Sequence, residues 1–108
     1  MDSKLVKRLQ AIESQIGVIY EHEERFLTMD GAKDHLLAVL ISKSEATSHA
    51  AKEVIAKATP EWESFRKNLA TAEAAFHRER HLLDLKLKAF DAEFLSLKLE
   101  SPAIKRQL

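Results

Sequence analysis

From Thr59 to Ser101 the chain reads TPEWESFRKNLATAEAAFHRERHLLDLKLKAFDAEFLSLKLES, with no glycine and no proline after Pro60. Apolar side chains recur there at Trp62, Phe65, Leu69, Ala72, Phe76, Leu83, Leu87, Phe90, Phe94 and Leu97. Those steps are threes, fours and one seven, which is helical spacing. Thr59 is suited to cap the N-terminus, and Pro60 sits at the first helical position, where no N–H is needed. Glu61 and Glu63 place negative charge at the positive end of the helix dipole. The segment predicts one helix of about forty residues, roughly 60 Å long at ~1.5 Å per residue. Ser101 and Pro102 end it.

A second long helix is predicted at the start of the chain, capped by Asp2 or Ser3. Leu5, Leu9, Ile12, Ile16, Ile19 and Phe26 alternate in steps of four and three, with Glu23 in the remaining slot. That is the spacing of a coiled-coil seam. The neighbouring positions, including Lys4, Lys7, Arg8, Glu13, Gln15, Glu21 and Glu24, are polar. The seam loses register at Thr28-Met29-Asp30-Gly31. Either Gly31 lies within a continuous helix, or the helix ends and restarts with Asp30 as cap. One glycine without proline seldom ends a strongly periodic helix, which favours continuity. The run Leu36–Ile41 is apolar around most of the helix and so predicts burial on more than one side, against another subunit. A polar elbow follows, and Thr47 or Ser48 can cap a short helix to Lys57. Glu53 with Lys57 and Glu63 with Lys67 are i,i+4 pairs in the favoured order.

The expected fold is therefore all-α and a single helical domain. It has a long helix over about 3–43, a short helix over about 48–57, a long helix over about 60–100 and a frayed tail at 102–108. The long helices are expected to form an antiparallel coiled-coil-like hairpin with the short helix at its elbow. One hairpin cannot cover a wide apolar stripe on both helices, so an oligomer is expected. The candidate interface is Trp62, Phe65, Leu69, Phe76, Leu83, Phe90 and Phe94, since leaving each such side chain in water forgoes roughly 1.5–3 kcal/mol.

Lys plus Arg total 17 and Asp plus Glu total 17, so the formal net charge is zero. That argues mildly against a strongly basic nucleic-acid binder. The chain has no cysteine, which removes disulfides, thiol catalysis and cysteine zinc sites. No run of about 18 apolar residues predicts a membrane span, and no signal-peptide core opens the chain. His77 and His81 stand at metal-chelating i,i+4 spacing. The zinc-protease helix needs Glu directly after the first His, and Arg78 stands there instead. Solvent-facing histidines are the better reading, and no metal or other cofactor is expected. Carboxylates are scattered and no glycine-rich phosphate loop occurs, so neither an enzyme nor a small-molecule substrate is expected. Lys43, Lys52 and Lys57 gather at the elbow, with Arg66 and Lys67 just beyond it. Copies of an elbow brought together in an oligomer would multiply that charge and could hold a phosphate backbone.

The segment from about residue 26 to 101 resembles a group of small helical proteins encoded by bacteriophages. The matching residues are Thr47, Ala50, Ala51, Glu53, Ala56, Ala58, Pro60, Glu61, Trp62, Ala72, Glu73, Phe94 and Ser101. They trace an Ala-rich short helix, an Ala-x-Pro-Glu-aromatic step and a long Glu- and Ala-rich helix. The layout is also similar to the UvsY-type recombination mediators of large phages. That resemblance implies an oligomer in the cytoplasm of a bacterial host. It would bind single-stranded DNA and recombination proteins: a recombinase or annealing protein, and single-stranded-DNA-binding protein. The alternative is a structural coiled-coil module that binds proteins and no nucleic acid.

Overall fold

The structure is a computed structural model and describes residues 3–100. The expected cap at Asp2, the stop at Ser101-Pro102 and the tail at 102–108 lie outside the described residues. The fold is all-helical, in the order α1 (Ser3–Ser42), α2 (His49–Lys57) and α3 (Pro60–Glu100). α1 runs through Gly31 without interruption, and neither glycine has a positive φ.

Local chemistry explains the helix ends. Ser48 is extended, at φ −106° and ψ 153°, and its Oγ accepts from the Ala51 N–H at 3.1 Å, which caps α2. Thr59 joins α2 to α3. Its hydroxyl donates to the Ala56 carbonyl at 2.7 Å and accepts from the Trp62 N–H at 3.2 Å. The Thr59 carbonyl accepts from the Glu63 N–H at 3.1 Å, the first turn of α3. Glu61 and Glu63 lie in that first turn and Lys98 in the last, as the helix dipole favours.

Contacts gather into two compact units. Among the described residues the first comprises 3–20 and 77–100. Here Leu5, Ile12, Gln15 and Ile19 of α1 are buried and Arg8 is half-buried. Opposite them, Glu79, Leu83, Lys86, Phe90, Glu93 and Leu97 of α3 are half-buried. Arg8 meets Glu93, while Gln15 meets both Glu79 and Lys86. Rising numbers on α1 meet falling numbers on α3, so the two segments run antiparallel. Leu9 and Ile16, placed in the seam by their hydropathy, are exposed. The inward positions at those levels belong to Arg8 and Gln15. The α1 seam therefore lies one residue earlier at alternate steps than apolar spacing alone predicts.

The second unit is Glu21–Phe76. Leu40, Ala56 and Trp62 are buried together, one from each helix, with Leu36, Leu37, Ile41 and Phe65 packed around them. Ala56 has no exposed surface at all. Phe26 and Phe76 approach with ring centroids 6.0 Å apart. The apolar run Leu36–Ile41, expected against another subunit, finds much of its cover at this elbow instead. Short α2 lets three helices converge there, so Leu40 is buried and Leu36, Leu37, Val39 and Ile41 are half-buried, while Ala38 is exposed.

Candidate binding surfaces

Two surfaces stand out, one in each unit. In the second unit, a cleft of about 450 Å³ beside Trp62 is lined by Lys57, Arg66 and Lys67 with a single carboxylate, Glu63. A neighbouring cleft of about 400 Å³ shares Lys57, Trp62 and Arg66 and adds Lys33 and Asp34. Arg66 stands two turns from Pro60 and the C-terminal Lys57 closes α2, so the α2–α3 junction brings these cations together. Lys57 pairs with Glu53 at 2.8 Å and Lys67 with Glu63 at 3.1 Å. Arg66 makes no ion pair among the described residues. The Lys57 ammonium donates to the Glu53 carboxylate and holds its pKa below the usual carboxylate range. That support to α2 is present at neutral pH and is lost as pH falls through the lowered pKa.

Of the five basic residues singled out by sequence, the structure brings Lys57, Arg66 and Lys67 into one cleft. Lys43 lies in a separate groove with Leu40, Ser44, Ile55, Thr59 and Glu61. Lys52 is half-buried on α2. Lys33 was not among the expected cations. The seven-residue repeat Leu5–Ile12–Ile19–Phe26, carried past Gly31, lands on it. It is half-buried and reaches Asp30 at 3.8 Å.

The seven aromatic and leucine residues expected at a subunit interface separate by depth. Trp62 is only 6% exposed and belongs to the elbow core, with Phe65 against it. Leu69, Phe76, Leu83 and Phe90 are half-buried. Phe94 is exposed, with its ring 6.2 Å from Phe90 and the Lys98 ammonium 5.2 Å from its centroid. His77 and His81 are exposed. Among the described residues no group of three or more His, Asp or Glu gathers as a metal would require. No described helix is long and apolar enough to cross a membrane.

In the first unit the seam is polar at every second level. Gln15, 5% exposed, donates through Nε2 to the Glu79 carbonyl at 2.8 Å and to Glu79 Oε2 at 2.7 Å. Its Oε1 accepts from the Lys86 ammonium at 2.9 Å. Arg8 and Glu93 approach to 3.6 Å. No buried side-chain polar atom of the described residues lacks a partner. While these polar groups turn inward, Val6, Leu9, Ile16, Tyr20, Leu82, Leu85, Leu87 and Phe94 remain exposed. Where such residues adjoin in one patch, they mark an interaction face more often than a solvated one. Family models, curated proteins and solved structures, compared with this chain, give no match.

Proposed function

We propose that this protein is a phage-type recombination mediator: a homo-oligomer of antiparallel helical hairpins that binds single-stranded DNA and recombination proteins in a bacterial host's cytoplasm. The observation that carries the nucleic-acid part is the cleft in which Lys57, Arg66 and Lys67 face a single Glu63. Exposed i,i+4 pairs such as Glu63–Lys67 are worth only about 0.3–0.5 kcal/mol. A phosphate can therefore displace the carboxylate at small cost. Trp62 is too buried to stack on a base, so binding rests on charge and falls with salt. With Lys33 included, three or four cations per chain predict a log–log salt slope of about −2 to −3 per chain, at ~0.7 per phosphate.

Fluorescence anisotropy with a labelled oligonucleotide tests this. Binding at low salt with that slope, weakened by Arg66→Glu, supports the reading; no binding at low salt removes the DNA part. A second reading has its own observation. Lys57 and Lys67 are already paired with Glu53 and Glu63, as in an ordinary helix surface. On that reading the chain is a protein-interaction module, and the anisotropy stays flat while its assembly persists.

A further inference from the structure

The exposed apolar residues of the first unit have an order of their own. The inward series on α1 is Leu5, Arg8, Ile12, Gln15 and Ile19. Val6, Leu9, Glu13, Ile16 and Tyr20 each follow one of these by one residue, and all are exposed. They form a single stripe down one flank, with Glu13 as its one charge. On α3, Leu82, Leu85, Ala89 and Ala92 each precede an inward residue (Leu83, Lys86, Phe90, Glu93) by one. One step forward on α1 and one step back on its antiparallel partner point to opposite flanks, since each step turns a helix by about 100°. On that second flank lies a groove of about 200 Å³, lined by Arg8, Ala11, Leu82, Leu85, Lys86 and Ala89. It is smaller than the roughly 300–1,000 Å³ of small-molecule sites. The small side chains of Ala11 and Ala89 leave the space between the helices open.

We propose that this groove receives the Val6–Tyr20 stripe of a second copy of the chain. The charges are complementary: the stripe's one charged residue is acidic, and the groove's two charged residues are basic, Arg8 reaching Glu93 at 3.6 Å and Lys86 donating to the neutral Gln15. Glu13 makes no ion pair among the described residues. The spacing is complementary as well, both surfaces repeating in threes and fours, as helix-on-helix packing needs. Each chain carries one stripe and one groove on opposite flanks, so the contact is head-to-tail and each copy leaves a surface for the next. The inference deepens the self-association part of the proposed function and is independent of the DNA part.

Sedimentation velocity on wild type, Ile16→Glu, Leu85→Glu and an equimolar mixture of the two variants tests it. Wild type is expected to assemble beyond a dimer at micromolar concentration. Each variant alone, with one surface spoiled, is expected to sediment as a monomer, its association weakened about a hundredfold or more. The mixture is expected to form a complex of one chain of each, at twice the monomer mass, because an intact stripe then meets an intact groove. A symmetric face-to-face dimer would not be rescued by mixing. A mixture that stays monomeric overturns the proposal, as do single variants that still assemble. Both results leave the self-association of wild type standing. A monomeric wild type overturns both, and the groove then belongs to another protein's helix. Far-UV circular dichroism checks that the variants are folded. Ile16→Gln and Leu85→Gln carry the same test if a charged variant unfolds.

Discussion

Gln15 sits where an apolar side chain would be expected, and its amide is held at both ends: Nε2 by Glu79, Oε1 by Lys86. The two kinds of substitution here should behave differently. Glu79→Ala takes the carboxylate from a donor that remains buried and is expected to cost about 1–3 kcal/mol. Gln15→Leu removes the buried amide itself and fills its place with carbon. Glu79 and Lys86, both partly exposed, are then free to face each other. Replacing buried polar groups by packed apolar ones is often neutral or stabilising, so this variant should stay within about 1 kcal/mol of wild type. Urea denaturation of the two variants measures the difference. Equal losses in both would show that the hydrogen bonds of Gln15 are themselves net stabilising, since position 15 stays filled in either variant.

The starts of α2 and α3 were legible because each rests on local chemistry. Ser48, Thr59 and Pro60 announce α2 and α3 in the sequence and perform those roles in the structure. The seam was legible only in part. A period of three and four admits neighbouring registers, and hydropathy favours the one containing Leu9 and Ile16. The register found is fixed by partners 64 and 71 residues away, Glu79 and Lys86, which a local reading cannot see. The cationic surface was likewise half legible: Lys57, Arg66 and Lys67 share the α2–α3 junction, but Lys33, from α1, lines the neighbouring cleft. Two predictions belong to the helices. Thr59→Ala should cost about 1 kcal/mol or more, since one hydroxyl serves the end of α2 and the start of α3; thermal unfolding followed at the lone Trp62 reads it. Gly31→Ala should stabilise. Gly31 lies within α1, and a Cβ there meets nothing within 4 Å. Alanine is better than glycine by about 0.5–1 kcal/mol in a helix interior. At about 4–8 °C per kcal/mol for a domain near this size, the gain is measurable by calorimetry. A lower melting temperature would place Gly31 outside regular helix in solution.

Each unit of the molecule handles its apolar residues differently. The elbow unit encloses Leu40, Ala56 and Trp62 within one chain, whereas the other unit turns Arg8, Gln15, Glu79, Lys86 and Glu93 inward and leaves Leu9, Ile16, Leu82 and Leu85 outside. A half-polar seam gains less from burial than an apolar one. That unit's stability should therefore depend on what covers its flanks, and a flank covered by another copy makes stability depend on concentration. A tenfold rise in protein changes the association free energy by about 1.4 kcal/mol. Spread over a domain of this size, that raises the melting temperature by several degrees. Circular dichroism melts of wild type across two decades of concentration should show the rise, and Ile16→Glu should melt at one temperature throughout. The elbow supplies an internal control, because its core is closed and holds the lone tryptophan. Fluorescence at Trp62 in Ile16→Glu should keep the blue-shifted emission of a buried indole even where the helical signal falls. If Ile16→Glu instead exposes Trp62, the two units fold as one, and loss of assembly in that variant can no longer be assigned to the stripe alone.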